Sequence, residues 1–295
     1  MTLVVLVSLS ANLIVFYVIV MTKSLHTPTN IFIINLALAD LLNSCYSSWN
    51  LLIEKFYVEQ THFLNVIASM LAASFSLTII SFDRLIGIIK PFSIRMSKKT
   101  AIYIIIFVWI VAAGFASPPL FYRKYVERQW ADYLEIFCTE DKNMLHVYWI
   151  ILLVVLVWLP QVVMTVVYII ITRTFETYEK KIGNDRYNKM IFKSRQKAVK
   201  MLYALILVFF ICWTPFQGFI LYRSFRTNNN NPWHPSVFFT AHYMTLLNCA
   251  INPFIYGMAN KNFQIAFRAK FSWIYGEESR LQIVPYPKTS TIIKP

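Results

Sequence analysis

Seven separate stretches of this chain are each apolar for about 20 residues, the length a helix needs to cross a bilayer. They are Leu3–Met21, Ile31–Ile53, Phe63–Ile89, Ala101–Leu120, Val147–Thr172, Val199–Tyr222 and Val237–Met258. A spanning segment in hydrocarbon must satisfy its own backbone, so only helices and closed barrels qualify. Barrel strands alternate in polarity and are about half as long. The sequence therefore predicts an all-α membrane protein, a seven-transmembrane helix bundle. Composition agrees: 57% of the 295 residues are hydrophobic and 14% are charged, against about 25% charged in soluble domains. With four cysteines the chain is no disulfide-stapled miniprotein.

The connectors decide the orientation. The net charge is +14, and its location matters more than its size. With Met1 outside, 21 of the 28 basic residues fall on the cytoplasmic side. That is a strong positive-inside bias. The charge thus faces anionic membrane lipid and a cytosolic partner, not nucleic acid. No basic residue precedes Lys23 and Asn12 interrupts the first run, so that run reads as a retained span rather than a cleaved signal. Beyond span seven, Phe263, Phe267 and Phe271 recur every four residues among Lys261, Arg268 and Lys270. This predicts an amphipathic surface helix over 261–273. The expected organisation is a membrane domain, 1–275, and a disordered cytoplasmic tail, 276–295.

Polar residues inside the spans carry the functional signal. A mid-membrane charge costs about 2.5–3.5 kcal/mol, so Asp40 needs partners. Asn12, Asn248 and Asn252 sit at comparable depth, and Asn248, Asn252 and Tyr256 share one helix face. Two readings stay open: a network that glues helices, or a cradle for a small cation. Asp83–Arg84 closes span three, either as an arginine reaching for headgroups or as a charge pair that breaks to meet a cytosolic partner. Pro160, Pro215 and Pro253 lie inside spans five, six and seven as hinge candidates. Phe209, Trp213 and Gln217 form a stripe beside Pro215, readable as core packing or as a switch. The five histidines are scattered without metal-ligand spacing, and no catalytic constellation is visible, so an enzyme is not expected.

These motifs together resemble the rhodopsin-like (class A) G-protein-coupled receptors, of neuropeptide-receptor type. They run in order: Asn12 with Val15; Asn35 to Asp40; Asp83-Arg84; Trp109; Pro160 and Tyr168; Phe209 with Cys212-Trp213-Thr214-Pro215; Asn252-Pro253-Phe254-Ile255-Tyr256; and Phe263. The resemblance implies a plasma-membrane receptor activated by an extracellular peptide and coupling to a heterotrimeric G protein, with arrestin as a further partner. It implies a sodium-type ion site at Asp40, Asn248 and Asn252, and no other cofactor. Coupling and activation fall to Asp83, Arg84, Tyr168, Asn252, Pro253 and Tyr256, and the switch to Trp213, Phe209, Pro215 and Pro160. Leu246 stands where a retinal-binding lysine would be, and Val66 where amine receptors carry a carboxylate, so neither ligand class is expected. Pocket residues are expected at Asn50, Met70, Trp149, Gln217, His242 and Tyr243. The acid-rich stretch Glu135–Asp141 would suit a basic or amidated peptide.

The chain departs from the family pattern in several places. Cys138 matches the loop cysteine of the usual outer disulfide, but its partner position is Glu59. The stretch from Asp40 to Arg84 is several residues shorter than usual. Leu85 replaces the common tyrosine, Ala73 a serine that helps hold sodium, and Arg195 stands where some relatives carry an acid. Without that acid, Arg84 lacks a lock to span six, which implies raised basal activity. The short region and the missing cysteine sustain a second reading, a truncated receptor isoform that folds or is retained without signalling.

Overall fold

The computed structural model describes residues 1–53, 59–89, 96–118, 121, 123–129, 134–140, 142–181, 186–225 and 234–275. Seven helical spans are present. The first four are Thr2–Val20, Pro28–Ile53, Glu59–Ile89 and Lys98–Ala116. Span five runs without interruption through Lys142–Ile151, Leu152–Trp158 and Leu159–Lys181. Spans six and seven are Arg186–Phe225 and His234–Ala259. Each span packs on its neighbours to close the bundle: one on two and seven, three on two, four, five and six, and six on seven.

Five of these helices are long and apolar enough to cross a membrane by length and composition: Thr2–Val20, Ile67–Ile89, Lys98–Ala116, Val147–Tyr178 and Val199–Tyr222. Spans two and seven have the length but carry amides, hydroxyls and Asp40, nearly all turned inward. Span four shows the lipid rule most plainly. Ala101, Val108, Ala112 and Ala116 face the bundle, whereas Ile102, Tyr103, Ile106, Phe107 and Ile110 face out. Small residues inward let helices approach closely, and large apolar ones meet the lipid.

Three features depart from the expected layout. Between spans four and five lies an antiparallel hairpin, Arg123–Gln129 (β1) with Leu134–Glu140 (β2). Its register sets Arg123 opposite Glu140 and Arg128 opposite Glu135. Span six begins at Arg186, well before the apolar run at Val199. At 1.5 Å per residue its 40 residues reach about 60 Å, twice the hydrocarbon thickness. Hydropathy marks where a helix meets lipid, not where it ends. Finally, the surface helix spans Lys261–Lys270, breaks at Phe271 and resumes over Ser272–Tyr275. The tail after 275 lies outside the described residues.

The three prolines are accommodated differently. Pro160 is the second residue of the α-helical stretch Leu159–Lys181, which follows the π-helical turn Leu152–Trp158. A wider turn already lacks the i→i−4 bond that proline cannot make. In span six, Thr214 Oγ1, beside Pro215, donates to the Phe210 carbonyl at 2.6 Å. In span seven, Pro253 leaves the Cys249 carbonyl without its helical donor. Asn12 of span one supplies a replacement, Nδ2 to that carbonyl at 3.0 Å, while also bonding the Ser8 carbonyl at 2.9 Å. Span one is therefore pinned to span seven at the proline.

The surface helix is tied down at both ends. Asn260 caps it by accepting from the Phe263 amide at 3.2 Å. Gln264 Nε2 donates back to the carbonyls of Gly257 and Met258 at the end of span seven. Phe263 and Ala266 are buried, and Phe271 meets Tyr17 of span one edge-on at 6.2 Å.

Asn12→Ala strands the Cys249 carbonyl in the bundle. The expected cost is about 1–2 kcal/mol, read as a fall of a few degrees in the thermal midpoint. A thiol-reactive fluorophore follows it, since Cys212 and Cys249 are buried and unbridged until unfolding. An unchanged midpoint would refute the pin.

Candidate functional site

Asp40 lies in the middle of span two, 3% exposed. Its Oδ2 accepts from Asn252 Nδ2 of span seven at 2.9 Å. Asn43, one turn along the same helix, donates to the Cys249 sulfur at 3.4 Å, and that thiol donates to the Thr245 carbonyl. Ser8 and Ser44 join spans one and two at 2.7 Å. The structure thus brings Asp40 and Asn252 together. Asn248 is buried one turn from Asn252, with its Oδ1 lacking a hydrogen-bond partner. The Oδ1 atoms of Asn12 and Asn43, the Ser74 hydroxyl and the Tyr256 hydroxyl are in the same condition. A carboxylate beside unsatisfied amide oxygens is an acceptor-rich, hard-donor environment. Ala73 adds no oxygen to it. Among the described residues, no group of three or more His, Cys, Asp or Glu side chains gathers as a metal site.

A second polar group ties spans two, three and four. Trp109 Nε1 donates to Asn35 Oδ1 at 2.7 Å, and Asn35 Nδ2 to Ser76 Oγ at 2.8 Å. This accounts for the Asn35 and Trp109 motif positions as joints.

At the end of span three, Arg84 and Asp83 are both partly buried, with Arg84 Nε 4.0 Å from Asp83 Oδ2. Thr29, in the first turn of span two, lies between them. Its Oγ1 donates to Asp83 Oδ2 at 3.2 Å and accepts from Arg84 Nη2. Held this way, the guanidinium is a strong donor kept at the mouth of the bundle. Tyr168 of span five stacks on Tyr203 of span six, centroids 4.3 Å apart and planes 19° apart. Tyr256 is buried in span seven.

Toward the hairpin end, aromatic rings form a continuous chain. Phe209 meets Trp213 at 5.8 Å, Trp213 meets Phe216 at 6.1 Å, Phe216 meets Phe238 at 6.5 Å, and Phe238 stacks on His242 at 6.2 Å. The expected switch pair is therefore linked ring by ring to an expected pocket residue. Gln217 is buried and accepts from Trp158 Nε1 at 2.9 Å. Indole is a donor only, which forces Oε1 toward Trp158 and turns the amide nitrogen away. That nitrogen has no partner. Met70 and Trp149 are buried and Tyr243 half-buried; Trp149 packs edge-on against Tyr148 at 5.1 Å. The backbone of Asn50 is helical, but its side chain lies outside the described residues, as do those of Glu59, Cys138 and Arg195. Cys138 sits in β2 opposite Tyr125. Cys45, Cys212 and Cys249 are unbridged.

Sequence reasoning missed Thr29, Asn43, Trp158 and Tyr203. Each acts across a helix interface, and nothing in its own span marks it. A signal existed only for Thr29, a hydroxyl at the start of a span on the same side as Arg84.

A bundle of seven spans with a polar core and an arginine at one mouth defines a seven-helix membrane receptor. The sequence profile of the "7 transmembrane receptor (rhodopsin family)" matches residues 11–256. The chain belongs to that family, and it is a multi-pass membrane receptor rather than an enzyme. It is 29% identical to the human substance-K receptor over 97% of this chain and 76% of that protein. It is 28% identical to the fruit-fly tachykinin-like peptides receptor 99D, covering 91% of this chain and 55% of that protein. The rat neuromedin-K receptor is 29% identical over 92% and 62%, respectively.

Thr29→Val keeps the shape and removes both bonds to the charged pair. The expected loss is about 1–3 kcal/mol, seen as a lower thermal midpoint, with Thr29→Ser close to the unaltered protein. Equal behaviour of the two variants would dismiss Thr29 as a structural partner of Arg84.

Proposed function

We propose that this chain is a G-protein-coupled receptor for an extracellular peptide, with Met1 outside and the Arg84 end in the cytosol. The observation that carries the reading is the set of inward-facing groups placed along the bundle. Three separate groups follow one another: the ring chain from His242 to Phe209, the Asp40–Asn252 bond, and Arg84 held by Asp83 and Thr29. Two relatives' names, substance-K receptor and tachykinin-like peptides receptor 99D, support a peptide ligand. The family match covers the short connector between spans two and three, which disfavours the non-signalling isoform.

Each group has a physical task. The amide nitrogen of Gln217, aimed by Trp158, is a buried donor waiting for a carbonyl, which every peptide supplies. A ligand that binds the outward-splayed state better shifts the population toward it. Trp213 and Phe209, beside the Pro215 interruption, repack as span six moves, and Pro160 gives span five its own interruption. Arg84 leaves Asp83 and Thr29 to meet the G protein, and Tyr168 and Tyr256 turn toward it. Basic residues between Arg173 and Lys200 face both the G protein and anionic lipid, and hydroxyls of the tail serve arrestin. A sodium ion fits at Asp40: the carboxylate supplies the charge, and the unpartnered oxygens of Asn248 and Asn43 supply further donors. When bound, such an ion neutralises the buried carboxylate and stabilises the resting packing.

Two experiments test this reading. An epitope before Met1 should stain intact cells, and substance K, neuromedin K or a tachykinin-like peptide should drive guanine-nucleotide exchange. Arg84→Ala should abolish that exchange at equal surface expression; undiminished exchange would refute the role of Arg84. For the ion, sodium chloride should raise the thermal midpoint relative to choline chloride, and Asp40→Asn should erase the difference. A sodium effect that survives the substitution removes Asp40 from the site.

A further inference from the structure

Span six contains no aspartate or glutamate anywhere from Arg186 to Phe225. It has no carboxylate to take the charge of Arg84, whose contacts with Asp83 and Thr29 lie within spans three and two. At the Arg84 end, span six meets spans three and five through apolar and aromatic contacts. The structure shows a separate apolar cluster there, distinct from the main core. Ile88 of span three, Val167, Ile171 and Phe175 of span five and Val199 of span six are its buried members. Two aromatic pairs bridge spans five and six alongside it. Phe175 meets Phe192 edge-on at 5.3 Å and 86°. Tyr168 lies flat on Tyr203 at 4.3 Å and 19°.

We propose that the Tyr168–Tyr203 stack is the latch that keeps this receptor closed, with Tyr203 the positioning residue that holds Tyr168 on span six. The inference rests on the receptor reading above and deepens it. Moving span six outward separates the two rings, so opening costs the stacking contact. It also releases Tyr168, the side chain assigned to turn toward Arg84. One contact thereby opposes opening and withholds a partner of the open state. Because the latch is uncharged, it is insensitive to salt, unlike an ion pair at an exposed helix end. It also replaces the expectation of high basal activity that follows from Arg195 alone.

The test uses the full chain in lipid nanodiscs, without agonist. An environment-sensitive fluorophore on Met190→Cys, an exposed site on span six, reports its movement, with Cys45→Ser removing the exposed native thiol. Nucleotide exchange on added heterotrimeric G proteins is read in parallel. Tyr203→Ala should shift the fluorophore toward the open signal and raise basal exchange about 2- to 10-fold. Tyr203→Phe keeps the ring and should resemble the parent. Tyr203→Leu keeps most of the volume without a ring and should follow alanine, which settles the matter if alanine fails to fold. Choline chloride, which raises ionic strength without supplying sodium to Asp40, should leave the parent's signal unchanged. A fluorophore shift without exchange would support the latch and refute G-protein coupling. No shift in Tyr203→Ala or Tyr203→Leu, or an equal shift in Tyr203→Phe, would overturn the latch.

Discussion

Hydrocarbon offers no hydrogen bonds, and most of this architecture answers that fact. Backbone groups are satisfied by helix formation, and where a proline interrupts a helix another element must answer. Pro253 strands a carbonyl, and Asn12 reaches across from span one to take it. Asp40 cannot face lipid, so spans one, two and seven converge with amides and hydroxyls around it. The polar core is thus both the joint of the bundle and its most consequential chemistry. It leaves a handful of buried oxygens unspent, and those are where an ion or a rearrangement has something to gain.

The bundle is built unevenly along its length. The middle is clamped by directional bonds: Asn35 to Trp109 and Ser76, Asn252 to Asp40, Asn12 to Cys249. The span five–span six face at the Arg84 end is held by ring stacking and aliphatic contact. Directional bonds hold one geometry, whereas stacked rings part at modest cost. A structure rigid in the middle and loose at one mouth can move that mouth without dissolving its core.

Much of this was legible from the residues alone. The spans stand out because lipid demands about 20 apolar residues regardless of context, and motif residues such as Asp40 and Trp213 stand out because they are costly or bulky. Legibility failed where local pattern and tertiary contact part ways. The hairpin has no alternating apolar stripe, since Arg123–Gln129 is mostly charged. The π turn before Pro160 lies in a uniformly apolar run with no period to read. Tyr203 looked like any tyrosine near a membrane surface until Tyr168 proved to lie on it.

The unbroken helix of span six carries a mechanical consequence. From Pro215 down to Arg186 the arm is about 43 Å long at 1.5 Å per residue. A tilt of about 10° at the proline would sweep the Arg186 end through about 7 Å, while a ring close to the fulcrum, such as Trp213, travels less than an ångström. The length of that lever decouples two requirements that would otherwise conflict. The packing around Trp213 can remain dense while the Arg186 end opens a gap wide enough for another protein.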